Sequence, residues 1–338
     1  MKLILLVTLL TCAAPIPLSL VQMSGEKTIR PGTVGYRGAA YRVRSLRVLV
    51  LSTMLAGNPG ERGIGEWGYA ALVEMDGRRI LFDTGARPDT VLRNAREMGV
   101  DLSNVSEVVV SHNHFDHTGG LLTLRRELAK TNPAALSRVH VGRGIFWSRP
   151  ANTGDGNTMI EIKHAYEATG GRFIEHNEPA EIAPGVWFTG PVPRIHPERN
   201  WSGTGQVRTP DGLVEDTVPE DSSLIFDTDR GFVLLSGCGH AGMINTLDYA
   251  RKKIRQERVY AAVGGFHLFQ LGDERLDWTA GKLREFGVKY LLGGHCTGIE
   301  AVYRLRQQIG LSRQECVVSA VGSSFTLDRG IDPLLLAR

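Results

Sequence analysis

The chain has 338 residues, 42% of them hydrophobic and 22% charged, which is the composition of an ordinary globular protein with one large domain or two small ones. Lys and Arg number 39 against 36 for Asp and Glu, a formal net charge of +3. This small excess is spread along the chain, which argues against nucleic acid as a partner.

The amino terminus has the pattern of a secretory signal. Lys2 is followed by a short apolar stretch, residues 3–10, and then by small residues and two prolines. This pattern predicts a signal peptide over residues 1–22 and a secreted or periplasmic protein. A buried first strand or a mis-assigned start codon is the alternative, and the latter would leave the protein in the cytoplasm. The apolar stretch is shorter than the roughly 20 residues of a membrane span, so we expect no stable span in the mature chain.

The next residues, 23–45, are polar and irregular, and we expect them to form a linker or an arm. After them the pattern alternates strands with helices. The predicted elements of this half are strands at 47–52, 69–75, 79–82 and 105–110 and helices at 89–98 and 121–130. The second and third strands form a hairpin across Asp76-Gly77. A glycine-rich loop at 56–68 is expected near the mouth of a site.

The second half repeats this organisation after a less regular region, residues 133–180. Residues 194–220 read as one long polar loop, and loops of this length are usually functional or mobile. The predicted elements that follow are strands at 223–226, 232–235, 259–263 and 290–292 and helices at 244–254, 279–286 and from 299. Two similar halves that face each other predict an α/β fold, a four-layer αββα sandwich that forms a single domain over residues 46–338.

A dense histidine cluster follows the predicted strand at 105–110. His112 and His114 are two residues apart, so their side chains point the same way on an extended backbone, and Asp116 and His117 follow at once. Nitrogen and carboxylate ligands at one point suit zinc, and manganese or iron as alternatives. The sequence therefore predicts a site for one or two divalent metal ions.

Three later strands end in the same way, with a glycine-rich turn and a histidine. These histidines are His240, His267 and His295. Strand ends on one edge of a sheet are where loops build functional sites, so we expect the three side chains to join the first cluster.

The segment His112-x-His114-x-Asp116-His117 and the Thr118-Gly119-Gly120 that follows it resemble the signature of the metallo-β-lactamase superfamily. Residues 80–85 resemble the strand and turn that precede this signature. Residues 237–242, 264–268 and 293–298 resemble one branch of the superfamily, which includes uncharacterised metal-dependent hydrolases and the synthase of a ribofuranosyl-aminobenzene phosphate in the methanopterin pathway. The resemblance extends over residues 48–320.

The resemblance implies the αββα fold and assigns ligands. His112 and His114 would hold a first metal ion, and Asp116, His117 and His295 a second. Many members take further ligands from a His before a strand and a bridging Asp at its end. Here the strand is preceded by Glu220-Asp221 and followed by Cys238, so we expect His240 to complete the first site. Cys238 is either a thiolate ligand or a small buried residue.

The predicted function is that of a metal-dependent hydrolase, in which metal-activated hydroxide attacks an ester, amide or phosphoester of a small-molecule substrate. Asp116 is assigned a catalytic role beside its role as ligand, and His267 would contact the substrate or donate a proton to the leaving group. Asp83 is expected either to accept the second N–H of a ligand histidine or to cap a helix near Arg87. Further candidates for substrate contact are Glu66, Arg194 and His196.

Two functions of another kind remain open from the sequence. One is a synthase or transferase acting on a phosphoribosyl donor, which would need a basic cluster at the mouth of the site. The candidates for such a cluster are Arg143, Arg149, Arg194 and Arg199. The other is a metal-binding protein without activity. The sequence does not indicate an oligomeric state.

Overall fold

This computed structural model describes residues 41–57, 63–201 and 204–335. The expected signal peptide and all but the last residues of the expected arm lie outside this part of the chain. At the end of the arm Val43 is fully buried, and its backbone N–H donates to the carbonyl of Asp227 at 2.8 Å. The arm is therefore attached to the fold before the first strand begins.

Within the described residues the chain forms nineteen strands and seven α-helices. The strands are β1 (Leu46–Ser52), β2 (Ala70–Met75), β3 (Arg78–Phe82), β4 (Glu107–Val110), β5 (Arg138–Gly142), β6 (Pro150–Ala151), β7 (Gly154–Asp155), β8 (Arg172–His176), β9 (Ala180–Ala183), β10 (Val186–Phe188), β11 (Gln206–Thr209), β12 (Gly212–Glu215), β13 (Leu224–Thr228), β14 (Gly231–Ser236), β15 (Val259–Gly264), β16 (Tyr290–Gly293), β17 (Cys316–Val318), β18 (Ser324–Thr326) and β19 (Gly330–Asp332). The helices are α1 (Thr90–Glu97), α2 (Phe115–Thr118), α3 (Leu121–Ala129), α4 (Met159–Glu167), α5 (Met243–Lys253), α6 (Asp273–Glu285) and α7 (Ile299–Ile309).

Most strands belong to two large sheets. The first has the order β19-β18-β1-β2-β3-β4-β5-β8, and the second has the order β17-β16-β15-β14-β13-β10-β9. In each sheet a hairpin leads into a run of parallel strands, β3 to β8 through β4 and β5, and β14 to β17 through β15 and β16. Parallel strands need crossover connections, and helices supply most of them here.

The two sheets pack face to face, and side chains along each strand alternate between the core that the sheets share and the outer layer of helices. Val48 and Val50 of β1 lie in the same apolar cluster as Val233 and Leu235 of β14. Their neighbours in sequence point outward, since successive side chains of a strand alternate between faces. The outer face of the first sheet packs against α1, α3 and α4, and that of the second packs against α5, α6 and α7. The predicted four-layer αββα sandwich is confirmed.

Some local predictions differ from the structure. The predicted loop 194–220 contains a hairpin, β11 and β12, with its turn at Pro210-Asp211. Helix α6 begins at Asp273, six residues before the predicted start, and α4 lies in the region that the sequence left undefined. In the part of the chain that the structure describes, no helix combines the length and the apolar composition that a membrane crossing requires.

Candidate active site

The candidate site lies at the carboxyl ends of parallel strands, where open α/β sheets usually bind ligands. The register of the second sheet places Ser236 of β14 opposite Gly264 of β15, and Gly264 opposite Gly293 of β16. The three strands therefore end at one level. Cys238, His267 and His295 each follow two or three residues later, so they meet at the same edge.

Three residues of the site hold a backbone conformation that side chains normally avoid. The φ angles of Asp83, His267 and His295 are 54°, 48° and 47°. A positive φ at a residue other than glycine is uncommon, and such strain persists only where the surrounding structure enforces it, often at functional sites. The backbone N–H of His295 donates to Thr53 Oγ1 at 3.0 Å, and that of His267 donates to Cys296 Sγ at 3.3 Å, and these bonds help to fix both turns.

The first histidine group consists of His112, His114 and His240. His112 Nε2 lies 3.1 Å from His114 Nδ1, and the ring of His240 lies 4.7 Å and 4.9 Å from the rings of these two. His240 Nδ1 donates to the carbonyl of Asn200, and its buried Nε2 has no hydrogen-bond partner among the described residues. The residues that sequence and resemblance assigned to one metal ion are therefore together.

The second group consists of Asp116, His117 and His295. Asp116 Oδ2 lies 3.2 Å from His295 Nε2 and 3.9 Å from His117 Nε2. The contact to His295 is close but lacks hydrogen-bond geometry, since both ring nitrogens of His295 are without hydrogen-bond partners in the described chain. Buried nitrogens of this kind are costly unless a ligand satisfies them.

Cys238 lies between the two groups. Its Sγ is 3.1 Å from His117 Nε2 and 3.2 Å from the Sγ of Cys296. Three sets of side chains have ligand atoms within 4.8 Å of one another, and Cys238 belongs to all of them: with His112 and His240, with His117 and His295, and with His267 and Cys296. The contact between Cys296 and Cys238 was not predicted from the sequence.

Asp83 fixes the orientation of two histidines. Its Oδ2 accepts a hydrogen bond from His117 Nδ1 at 2.7 Å and another from the Ser111 hydroxyl at 2.8 Å, and that hydroxyl accepts from His112 Nδ1 at 2.8 Å. Nδ1 of both rings is thus engaged by the protein, and Nε2 is the nitrogen that can bind a cation once it carries no proton. The alternative role as a helix cap is wrong, because the N-cap residue of α1 is Asp89.

The protonation states follow from burial and from these carboxylates. Burial, together with neighbouring imidazoles, holds the pKa values of His112 and His240 well below the usual range. Burial lowers the pKa of His114 to about 4. Burial alone would lower the pKa of His117 too, but Asp83 and Asp116 outweigh it and raise the value to about 9. At neutral pH three of the four rings are thus neutral and able to bind a cation.

Glu220 and Asp221, which stand before β13 where many family members have a histidine ligand, support the site from behind. Glu220 pairs with Arg149 at 2.7 Å and accepts the backbone N–H of Asn113 at 3.2 Å. Asp221 Oδ2 accepts the backbone N–H of Ala241 at 2.9 Å, which holds the turn that carries His240. Burial raises the pKa of Asp221 to about 7. This supporting role was not predicted from the sequence.

A cavity of about 410 Å³ opens over the two groups. Both residues with a predicted catalytic role, Asp116 and His267, line it, as does the aromatic side chain of Trp67 from the predicted mouth loop. None of the described residues that line it is Lys or Arg. Without a bound cation, this lining offers no basic partner to an anionic group.

The structure does not bring three of the predicted substrate contacts into the cavity. Glu66 is buried and accepts the Ser52 hydroxyl and the backbone N–H groups of residues 86 and 87. Arg194 donates to the carbonyls of residues 217 and 218, and His196 lies 3.2 Å from Asp248. None of the three lines the cavity.

A family model described as the metallo-beta-lactamase superfamily matches residues 68–295, which is more than half of the chain. The chain belongs to the metallo-β-lactamase superfamily. The signature, the strand-end histidines and the αββα sandwich are thus features of one family, and the predicted membership is confirmed.

Two relatives come from Methanocaldococcus jannaschii. One, named 7,8-dihydropterin-6-methyl-4-(beta-D-ribofuranosyl)-aminobenzene-5'-phosphate synthase, is 31% identical over 242 residues, which cover 69% of this chain and 82% of the relative. The other, the uncharacterized protein MJ0448, is 30% identical over 248 residues, 71% of this chain and 87% of the relative. The predicted likeness to the branch that contains the synthase is confirmed.

Among solved structures, the fold is similar to that of Tm1679, described as a metal-dependent hydrolase of the beta-lactamase superfamily. The two chains are 26% identical with a TM-score of 0.64, and the match covers 83% of this chain and 98% of Tm1679. Relatives of this chain are thus named both as a synthase and as a hydrolase, so membership leaves the reaction to be argued from the site.

Proposed function

We propose that the protein is a metal-dependent hydrolase that cleaves an ester, amide or phosphoester bond in a small molecule. One observation carries this proposal. His112, His117 and His240 each donate one ring N–H to the protein, to Ser111, Asp83 and the Asn200 carbonyl, and present the other nitrogen toward Cys238 or a neighbouring ring. Hydrogen bonds that fix the orientation of imidazole rings in this way are typical of metal ligands.

The donor set fits divalent metal ions. We assign His112, His114 and His240 to one ion and Asp116, His117 and His295 to a second, with the Cys238 thiolate able to serve either. Zinc accepts imidazole, thiolate and carboxylate together, whereas manganese prefers oxygen ligands, so zinc is the metal that we propose. The nitrogens without partners on His240 and His295 give independent support, because an ion would satisfy them.

A divalent ion bound here would lower the pKa of a water molecule toward about 7 and polarise the carbonyl or phosphoryl group of the substrate. The chain's own residues supply the rest. Opposing charges on His117 and His295 outweigh burial and hold the pKa of Asp116 well below its usual range, so its carboxylate can orient water but is a weak base. His267 lines the cavity with a ring nitrogen that has no hydrogen-bond partner in the described part of the chain, and it is placed to donate a proton to the leaving group.

The test is hydrolysis before and after verified metal removal. We expect zinc-loaded protein to cleave at least one member of a panel of p-nitrophenyl esters, p-nitrophenyl phosphodiesters and lactones. Exhaustive chelation should abolish turnover, and zinc should restore it. His295→Ala should lose activity, whereas His164→Ala, an exposed histidine of α4, should keep it. Full turnover by protein that is free of metal would overturn the proposal.

The second candidate is a synthase that acts on a phosphoribosyl donor, and the 31% identical relative favours it. The basic residues that it would need are largely engaged elsewhere. Arg149 is buried between Asp216 and Glu220, and Arg199 pairs with Glu215 at 2.7 Å. Product analysis with phosphoribosyl pyrophosphate and an aminobenzene acceptor distinguishes the two functions, and we expect no coupled product.

A further inference from the structure

The cavity over the candidate metal site continues into a groove. This groove has a volume of about 840 Å³, and Trp67, Phe269 and His295 line both it and the cavity. Its far end is formed by the first turns of α7, including Ile299 and Tyr303. Any molecule that lies in the groove is therefore held within reach of His295.

Several large apolar side chains that line the groove are partly exposed to solvent. Trp67, Phe269, Ile299 and Tyr303 are 45%, 42%, 41% and 47% exposed. In the adjoining cavity over the candidate metal site, Phe115 is 64% exposed and is one of the lining residues. Single exposed apolar side chains need no explanation, but a contiguous set beside a polar site indicates a binding surface.

Among the described residues the groove offers no free positive charge, and Glu300 adds a negative one. Its one basic side chain among the described residues, Arg304, pairs with Asp273 at 3.0 Å and with Asp277 at 2.7 Å. An anionic group of a ligand would thus find no free partner there. The wall shared with the cavity is aromatic, since the ring of Trp67 lies 5.6 Å from that of Phe269 and 4.9 Å from that of His295.

We propose that this groove binds the apolar acyl chain of the substrate, so that the protein acts on esters or amides of medium-chain carboxylic acids. The proposal rests on the proposed hydrolase function and names its substrate class. The bond to be cleaved lies in the cavity over the histidines, and the chain extends across Trp67 and Phe269 toward Tyr303. This continuity with the site distinguishes the groove from a surface for another protein.

The first experiment measures binding, so that it does not depend on turnover. Straight-chain carboxylates from acetate to octanoate, the product class of such a reaction, are titrated into zinc-loaded protein by calorimetry. We expect the affinity to rise about threefold for each added methylene, because each buries apolar area in the groove. Octanoate binding no tighter than acetate would overturn the proposal.

The second experiment changes the groove without touching the metal ligands. Ile299→Asp places a carboxylate at the first residue of α7, where an acidic residue is compatible with the helix. We expect it to weaken octanoate binding at least tenfold and to leave acetate binding unchanged. Leu213→Asp, at a side chain of similar exposure (43%) that does not line the groove, is the matched control. An equal effect of both variants on octanoate would contradict the assignment.

The outcomes separate the two proposals. Chain-length dependence of binding without any ester hydrolysis would uphold the groove and refute the hydrolase. Hydrolysis with the same KM for acetyl and octanoyl esters would uphold the hydrolase function and refute the binding of an acyl chain in the groove. A sedimentation coefficient that falls in Ile299→Asp would show that the groove joins two copies of the chain instead, and would overturn the acyl-chain assignment.

Discussion

At the scale of single residues, Cys238 is the centre of the candidate site. Its thiol is common to all three sets of potential ligands, and it lies two residues after the end of β14. A thiolate is a softer ligand than a carboxylate, so the site should prefer zinc over manganese. Cys316 of β17 is buried as well but packs against α7, where its Sγ contacts the carbonyl of Val302 at 3.5 Å.

This contrast gives a matched pair of variants. Cys238→Ser should weaken zinc binding by about 100-fold or more, since losing a ligand has at least the effect of losing a supporting residue. Cys316→Ser makes the same change at another buried cysteine and should leave zinc binding unchanged. Competition with a chromogenic chelator measures both. Equal zinc affinity in the two variants would show that Cys238 is not a ligand.

His117 predicts how metal binding depends on pH. Its pKa in the metal-free protein is raised to about 9, so at pH 7 the ring is protonated and must lose a proton to bind zinc. Zinc affinity should therefore increase between pH 7 and pH 9, and calorimetry in buffers of different ionisation enthalpy should detect the proton of His117 in addition to that of the Cys238 thiol, whose pKa is raised by burial. His114, with a pKa of about 4, contributes none.

The control removes the cause of the raised pKa. Asp83→Asn keeps the shape of the side chain but loses its charge, so the pKa of His117 should fall and less proton should be released at pH 7. The exposed Asp101→Asn should behave like the unchanged protein. Proton release that stays constant in Asp83→Asn would refute this account.

At the scale of secondary structure elements, the turn after β14 is the most constrained segment of the site. A Cβ atom at Gly237 would lie 2.2 Å from Ser111 Oγ and 2.5 Å from Asp83 Oδ2, the two groups that orient His112 and His117. Because Asp83 is held by several hydrogen bonds, it cannot move aside. The end of β14 therefore contacts the histidine cluster of the other sheet without an intervening side chain.

Gly237→Ala should destabilise the protein by about 2–3 kcal/mol, which is the usual penalty for overpacking a rigid site. Gly281→Ala, where no atom lies within 4 Å of the added Cβ and the backbone is that of α6, should instead stabilise it by about 0.5–1 kcal/mol. Urea denaturation measures both. A Gly237→Ala protein as stable as the original would show that this turn can accommodate a Cβ atom.

The elements around the site were the ones that the sequence predicted best. The strands that carry Cys238 and His295 are short, continuous apolar runs with glycine immediately after them, and both signals are local. Helix α6 was predicted too short, although its buried residues Leu276, Ala280 and Leu283 already have helical spacing. Asp221 could not be predicted, because its role depends on a backbone N–H that only the fold brings near.

At the scale of the whole molecule, the candidate ligands come from both sheets. His112 follows β4 of the first sheet, and His240 and His295 follow β14 and β16 of the second. A cation bound by all of them would join the sheets at one edge. The apolar core between the sheets does not include these residues, so the sandwich should remain folded without metal.

Metal removal should therefore lower the melting temperature without loss of secondary structure. Zinc at 100 times its Kd should stabilise the protein by about 2.7 kcal/mol, a shift of about 5 °C in Tm. Magnesium, which prefers oxygen ligands, should cause no shift at the same concentration. Differential scanning fluorimetry and far-UV circular dichroism test this. If chelated protein lost its circular dichroism signal, the cation would be part of the core rather than an addition to it.

The short distance between Cys296 and Cys238 makes the candidate metal site sensitive to oxidation. With their sulfur atoms 3.2 Å apart, the two thiols can be oxidised by hydrogen peroxide to a disulfide, two hydrogens leaving as the peroxide becomes water. A bound cation would act as a protecting group for them. Metal-free protein treated with peroxide should therefore fail to bind zinc until dithiothreitol reduces the disulfide. Cys296→Ser protein treated in the same way should still bind zinc.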